Sequence, residues 1–329
     1  MRKIFIFFMF FVMVSLVQAI GERFILWESF EDITPPSWPL GWVTQDFNGD
    51  GTTWGTQKYG GLGERPQCVR YAASAIIPAD DWFFTGGLTL NPGIPYILSF
   101  RYKASVGSIQ RMNIWIGGVP LSAGMTTQIY DNTALVDTIL TEIMVPFTPS
   151  SPGTYFIGFH CYSAPNQARL FVDDIQVSYP ETNLVLTVGM VKELLSSGTP
   201  TYNLADTIKC VTALENIGPA DFIVNERFSV GGVTSLHPEL YFFITSPSGD
   251  TLPFVWLYEK IGDPGQGKFA SLLVSQTTGK VFDLQKGFIF TETGTYTLQV
   301  RYQNYHKHPL GTDVWMGRIW SNPVTFILQ

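Results

Sequence analysis

Charge is scarce in this 329-residue chain. Only 14% of the residues are Asp, Glu, Lys or Arg, the formal net charge is −7, and the basic residues never cluster. Neutralising a phosphate backbone takes a concentration of Lys and Arg, so nucleic acid is excluded as a partner. Cysteine is equally sparse, with Cys68, Cys161 and Cys210 making up the whole complement. An odd count this small excludes a disulfide framework and leaves two alternatives, a single Cys68–Cys161 bridge or buried free thiols. Apolar runs long enough to span a bilayer are missing, and no convincing long amphipathic helix occurs. The familiar hydrolase signatures G-x-S-x-G and H-E-x-x-H are absent as well.

The few titratable residues argue against catalysis. His160, His237, His306 and His308 are spaced neither as a catalytic triad nor as a zinc set. His160 and Cys161 are neighbours on a strand-like run, and strand neighbours point to opposite faces, so they cannot form a nucleophile–base pair. His306 and His308, with Asp313 nearby, share a face. They read as a transition-metal pair or as a solvated hairpin tip. A glycosidase needs two carboxyl groups about 5–10 Å apart across a cleft. Glu28, Glu31 and Asp32 near one end, and Asp173-Asp174 much later, supply carboxylates, but Glu28 and Glu31 fall on different sides of a strand.

What the chain does contain is a leader and a strand rhythm. Arg2 and Lys3 precede the apolar run Ile4–Val17, and Val17-Gln18-Ala19 places small residues at a cleavage position. The run is shorter than the ~20 residues of a spanning helix, so residues 1–19 read as a cleaved secretory signal. Aromatic residues reach 15%, and Val, Ile and Thr alternate with Gly- and Pro-rich turns, which predicts an all-β protein. "RFILWESF", "PYILSFRYKA", "RMNIWIGG", "GTYFIGFHCYS" and "ARLFVDDIQVS" are the first strand candidates. In "NTALVDTILTEIMVPF" (132–147), Pro146 and the β-branched residues favour loop plus strand over helix. After "SYPETN" (178–183) the rhythm restarts, predicting two domains, 20–179 and 183–329. The second shows about seven short strands, the count of an immunoglobulin-like sandwich. It also carries a hairpin turn at "SPSGD", where Gly249 supplies positive φ, and a Tyr at a strand entry, Tyr296, that can fix a corner by bonding back to backbone.

The stretch "QDFNGDGTTW" (45–54) raises the question of a metal. Asp46, Asn48 and Asp50 alternate and Gly51 follows, which is the first half of a calcium loop. Calcium takes six to eight hard oxygens from carboxylates, amides and carbonyls. The twelfth position is Gln57 rather than Glu, and the flanks are strand-like, so this is no EF-hand. Two readings remain: a different kind of calcium loop, or an Asp/Asn/Gly turn bonded to its own backbone.

Three motifs in order carry a resemblance. "ESFEDITPPSWPLGWVTQDFNGDGTTW" combines Phe30-Glu31, Pro39-Leu40-Gly41-Trp42, the Asp46–Gly51 turn and Trp54. "ADDWFFTGGLTL" (79–90) and "GTYFIGFHCYSAPNQARLFVDDIQV" (153–177) follow. Over residues 24–178 this resembles the cleaved-adhesin, or choice-of-anchor J, domains of secreted bacterial proteins. Gly86-Gly87 departs from the family, which usually has a proline there. The resemblance implies a MAM-like jelly-roll sandwich with structural calcium. In a jelly roll the first and last strands lie side by side. That adjacency brings Glu31 toward Asp173 and Asp174 as the primary expected calcium ligands, with Asp46, Asn48 and Asp50 as the secondary set.

The function expected from this is non-enzymatic: a secreted or cell-surface binding or adhesion protein, with a calcium-stabilised jelly roll ahead of an immunoglobulin-like domain. Its partner would be an extracellular protein or a glycan, and Trp38, Trp82 and Trp115 are candidates for stacking on sugar rings. The alternatives are a structural spacer in an envelope or extracellular assembly and, less favoured, a polysaccharide hydrolase.

Overall fold

The computed structural model describes residues 21–58, 66–192, 198–231, 238–255, 264–310 and 313–329. The expected signal at 1–19 and His237 lie outside the described residues. The chain divides into two compact units, one of Glu22–Glu181 with Trp315–Gly317, the other of Thr182–Val314 with Arg318–Gln329. Each is built almost wholly of strands, as the composition predicts.

The first unit contains β1 (Gly21–Glu28), β2 (Val43–Asp46), β3 (Gly55–Gln57), β4 (Cys68–Ala72), β5 (Asp81–Phe84), β6 (Leu88–Leu90), β7 (Tyr96–Ala104), β8 (Gln110–Gly117), β9 (Met125–Leu135), β10 (Thr141–Phe147), β11 (Gly153–Cys161) and β12 (Arg169–Glu181). One sheet runs β10-β7-β12-β1, with β4 also pairing β12 and β3 pairing β4. The other runs β2-β5-β11-β8-β9, with β6 added on β11. The first and last strands, β1 and β12, are neighbours, as a jelly roll requires.

Period-two alternation sends Phe83 of β5, Met112, Ile114 and Ile116 of β8, and Ile157 and Phe159 of β11 into one core. There they meet Leu98, Phe100 and Tyr102 of β7 and Leu170, Val172 and Val177 of β12. Phe83 and Phe159 stack at 4.5 Å, and Phe100 meets Phe159 edge-on. Burying each such ring contributes about 1.5–3 kcal/mol. Residues 132–147 form the end of β9 and all of β10, so loop plus strand is correct there. Pro146 sits opposite Ile97 on β10, the last strand of its sheet, where a missing N–H breaks no ladder on the open side.

The second unit contains β13 (Leu184–Met190), β14 (Thr201–Tyr202), β15 (Lys209–Asn216), β16 (Phe222–Asn225), β17 (Leu240–Thr245), β18 (Phe269–Leu272), β19 (Thr277–Asp283), β20 (Gly294–Asn304), β21 (Gly317–Trp320) and β22 (Val324–Leu328). β20 borders β17, β21 and β22, and β14 joins β22 in parallel. Separate sheets are formed by β13-β15-β19 and by β16-β18. The "SPSGD" turn follows β17 as the sequence implies, with Gly249 at φ 94° and its N–H bonded to Ser246 O.

Tyr296 is fully buried, and its hydroxyl donates to Glu292 O at 2.9 Å and accepts from Glu292 N at 3.2 Å. That is the backbone-anchoring corner read from the sequence. Tyr296→Phe removes the partner of both half-buried backbone groups of Glu292 and is expected to cost about 1 kcal/mol, measured as a lower urea midpoint with unchanged m value. All three cysteines are buried and free, so of the two alternatives the structure has the thiols. Burial pushes each thiol up to about 12, which keeps them unreactive.

Candidate metal centre

β2 ends at Asp46, and the chain turns through Gly49 (φ 68°) and Gly51 (φ 78°). Asp46 organises this turn. Its Oδ1 accepts from Gly49 N at 2.7 Å and Asp50 N at 3.3 Å, and its Oδ2 accepts from Gly51 N at 2.8 Å. Asn48 Oδ1 accepts from Asp50 N at 3.1 Å, while its amide group donates to Pro78 O at 2.7 Å and ties the loop to the approach to β5. Asp50 Oδ1 accepts from Thr52 N at 2.7 Å. The alternating side chains thus do the work of a self-bonded turn. They do not use up their capacity in doing so, because Asp50 Oδ2 is buried and makes no hydrogen bond.

The register of β2 on β5 sets Asp81 directly opposite Asp46. Directly opposed residues in an antiparallel pair hold their Cβ atoms about 5 Å apart, a destabilising arrangement for like charges. Asp81 is fully buried, and its Oδ1 also lacks a hydrogen bond. Its Oδ2 accepts from Asp80 N at 3.2 Å, and its backbone O accepts from Trp54 Nε1 at 3.0 Å. Burial above all pushes the Asp81 carboxyl up to about 6, and the charges of Asp46 and Asp50 push the same way. The nearby Tyr71 hydroxyl and the Asp80 N–H offset part of this. The Tyr71 hydroxyl is the electrostatic partner of the Asp81 carboxyl at a geometry looser than a regular hydrogen bond, and Thr53 Oγ1 is buried without one.

Two buried carboxylate oxygens without a regular hydrogen bond, on Asp50 and Asp81, the buried Thr53 hydroxyl and a third carboxylate opposite make a donor set that is hard and oxygen-only. That chemistry fits Ca²⁺. Asp46, Asp50 and Asp81 would hold the ion, and it would supply the positive charge that the opposed carboxylates lack. As the side chains stand, no three His, Cys, Asp or Glu converge to ligating distance among the described residues, so Asp46, Asp50 and Asp81 would have to close on the ion.

The primary expected set lies elsewhere. Asp173 and Asp174 sit at a β-bulge, where the register of β12 on β7 shifts between Asp173 and Gln176, and Asp174 takes φ 47°. Both are buried, Asp173 at 1% and Asp174 at 9% exposure. Asp173 Oδ1 accepts from Asp174 N at 2.7 Å, and Arg101 approaches Asp174 Oδ2 at 3.8 Å. Glu31 Oε1 accepts from Gln67 N at 2.9 Å. The residue after Gln67, Cys68, feels the Asp173 charge, so these elements share one region of the unit. Asp81 was not among the residues singled out from sequence. Its signal was the acidic start of "ADDWFF", which gains meaning only once register places it against Asp46.

The tryptophans read as sugar platforms are largely committed to packing. Trp82 is stacked on His160 at 4.1 Å and on Phe84 at 5.7 Å and is buried. Trp38 packs on Phe83, and Trp115 is half-buried with Nε1 donating to Asn113 Oδ1 at 2.9 Å. His160 points away from the core that Cys161 enters, so the two do not meet. In the second unit, His308 Nδ1 accepts from Leu310 N at 3.2 Å, with its ring against Phe269, in keeping with the hairpin-tip reading. No helix among the described residues is long and apolar enough to cross a membrane.

No protein-family model matches the chain, and no curated protein does. Solved structures resemble it over about half its length. The K3 cleaved adhesin domain of Lys-gingipain from Porphyromonas gingivalis W83 is 18% identical, covering 48% of this chain and 99% of that domain, with a TM-score of 0.40. The K1 domain of the same protein is 16% identical, covering 46% and 96%, with a TM-score of 0.39. A xylan-binding domain from Paenibacillus barcinonensis is 15% identical, covering 50% and 99%, with a TM-score of 0.35.

Proposed function

We propose that this chain is an exported, non-enzymatic binding protein. It comprises a calcium-stapled jelly roll of the cleaved-adhesin, choice-of-anchor J kind and an immunoglobulin-like module, and its partner is an extracellular protein or glycan. The observation that carries the calcium part is the pair of buried carboxylate oxygens without hydrogen bonds, on Asp50 and Asp81, beside the opposed Asp46. A fold does not leave such groups uncompensated without cost. The leader-like residues 1–19 and the low, dispersed charge support export and a protein or glycan partner. The names of the similar structures, adhesin domains and a xylan-binding domain, agree with a binding role.

Calcium is expected to raise the melting temperature of the mature protein and EDTA to lower it. A ligand confined to the folded state contributes about 2.7 kcal/mol at a hundredfold excess over its Kd. Asp50→Ala is expected to abolish most of that rise. Loss of the rise in Asp174→Asn and Glu31→Gln instead, with Asp50→Ala unaffected, would move the ion to the bulge. No calcium response after thorough chelation of the unmutated protein would end the calcium reading altogether.

A further inference from the structure

The outer face of the β2-β5-β11-β8-β9 sheet carries a ladder of rings. Phe84, Trp82, His160 and Tyr162 follow one another, with Phe84–Trp82 and Trp82–His160 both parallel to within 4°. His160 is held at both nitrogens. Nε2 lies 2.9 Å from Asp80 Oδ1 and Nδ1 lies 3.0 Å from Asn113 Oδ1. An ionised carboxylate only accepts. Asn113 presents its oxygen because the Trp115 indole N–H, which only donates, bonds the same atom at 2.9 Å. Both nitrogens of His160 therefore face acceptors, the Asp80 carboxylate by its own chemistry and the Asn113 oxygen by its bond to Trp115. Only the imidazolium, with two N–H donors, satisfies both bonds, and the Trp82 face at 4.1 Å is a favourable seat for a cation.

We propose that His160 is a pH-sensitive latch. As imidazolium it ties Asp80, at the entry to β5, to Asn113 of β8. As neutral imidazole it keeps its single proton for Asp80 and turns a lone pair on Asn113 Oδ1. That repulsion forces Asn113 to rotate and takes the acceptor from Trp115. The surroundings set where this happens. Burial lowers the imidazole below its ordinary 6.5, and the bond to Asp80 offsets only part of this. The other charged or titratable groups around it are Asp81, the first residue of β5; Arg111 on β8; Asp131, opposite Asn113 on β9; and Tyr162, just past the end of β11, whose hydroxyl is bonded to Asp131. Burial pushes the Tyr162 hydroxyl up to about 12, and the bond to Asp131 adds to the shift, so it stays protonated throughout.

The inference is independent of the calcium reading, and it is best tested in Asp81→Asn protein, whose side chain cannot titrate. Tryptophan emission and the indole Nε1–H resonances of Trp82 and Trp115 are followed from pH 4.5 to 8. A single transition is expected, with emission quenched on the acid side where the imidazolium stacks on Trp82, and it is expected to be lost in His160→Gln. Should that variant fail to fold, Asp80→Asn carries the test. Removing the facing carboxylate is expected to lower the midpoint by about one unit or more. Asn113→Leu is expected to leave a transition at Trp82 while silencing it at Trp115. A flat response across the range in folded protein, or a midpoint unmoved by Asp80→Asn, overturns the latch.

Discussion

The calcium-free protein is expected to lose stability as pH rises from about 4 to 6, the reverse of the ordinary behaviour of a paired carboxylate. Asp81 has its carboxyl raised from 3.8 to about 6 by burial and by Asp46 and Asp50. In that window the folded state holds a proton that the unfolded chain has released, so raising the pH favours unfolding. The penalty is absent below about 4 and complete above about 6. Two pKa units correspond to about 3 kcal/mol, or about 6–12 °C in melting temperature for a domain of this size. A bound dication would favour the ionised carboxylate and is expected to flatten the profile. Asp81→Asn removes the buried charge, so it is expected to melt higher than the unmutated protein in EDTA at pH 7, yet to gain nothing from calcium. The measurement is thermal unfolding at several pH values, with and without calcium, for both proteins. If the two proteins fall in parallel in EDTA, or if Asp81→Asn is the less stable at pH 7, the Asp46–Asp50–Asp81 centre has been misread.

The reason the sequence pointed to Asp46, Asn48 and Asp50 but not to Asp81 is physical. Alternation within one loop is local, and so is the turn chemistry of Asp, Asn and Gly, which is why the loop was legible either way. The counterpart, Asp81, becomes a partner only through the register of β2 on β5, a long-range pairing that no period reveals. The same distinction separates the other outcomes. The opposite faces of His160 and Cys161 on β11, the loop-plus-strand reading of 132–147, the Gly249 turn and the Tyr296 corner all depend on near neighbours, and all are found as read. The Trp82–His160–Asn113–Trp115 arrangement spans three strands, and it required the fold. The bulge at Asp173-Asp174 lies between these cases. The acidic pair is visible in the sequence, but φ 47° at Asp174 and the register shift are properties of β12 against β7.

In the second unit, Arg227→Met is expected to be among the most damaging single changes away from the apolar core, at about 3–5 kcal/mol. Glu239 is buried, with a side-chain exposure of 1%, beneath Arg227, whose own exposure is 14%. Arg227 Nε donates to both carboxylate oxygens at 3.0 Å, and its Nη2 reaches Oε1 at 2.5 Å. Asn225 Nδ2 donates to Oε1 at 2.9 Å, Ser229 N donates to Oε2 at 2.9 Å, and the Ser229 hydroxyl bonds Oε2 as well. Tyr302 of β20, fully buried, donates to Asn225 O at 2.8 Å, so the segment leaving β16 is fastened to the neighbouring sheet by one carboxylate and one phenol. "NERFS" announces none of this, since Arg227 and Glu239 are twelve residues apart and meet only through the fold. Taking away the guanidinium leaves a carboxylate in a dry site with neutral donors alone, and that stranded charge, more than the lost contact, sets the cost. The pair can be separated from its context with a second variant. In Arg227→Met/Glu239→Leu the stranded charge is gone, and stability is expected to recover by more than half. Recovery stays incomplete because Asn225 Nδ2 loses one of its two acceptors and the Ser229 N–H and hydroxyl lose theirs. Urea denaturation of the unmutated, single and double variant proteins in one buffer reads the difference. A double variant as unstable as Arg227→Met alone would show that donor satisfaction by Glu239, and not its charge, is what the segment depends on. A single variant costing under about 1 kcal/mol would show that water replaces the guanidinium at the site.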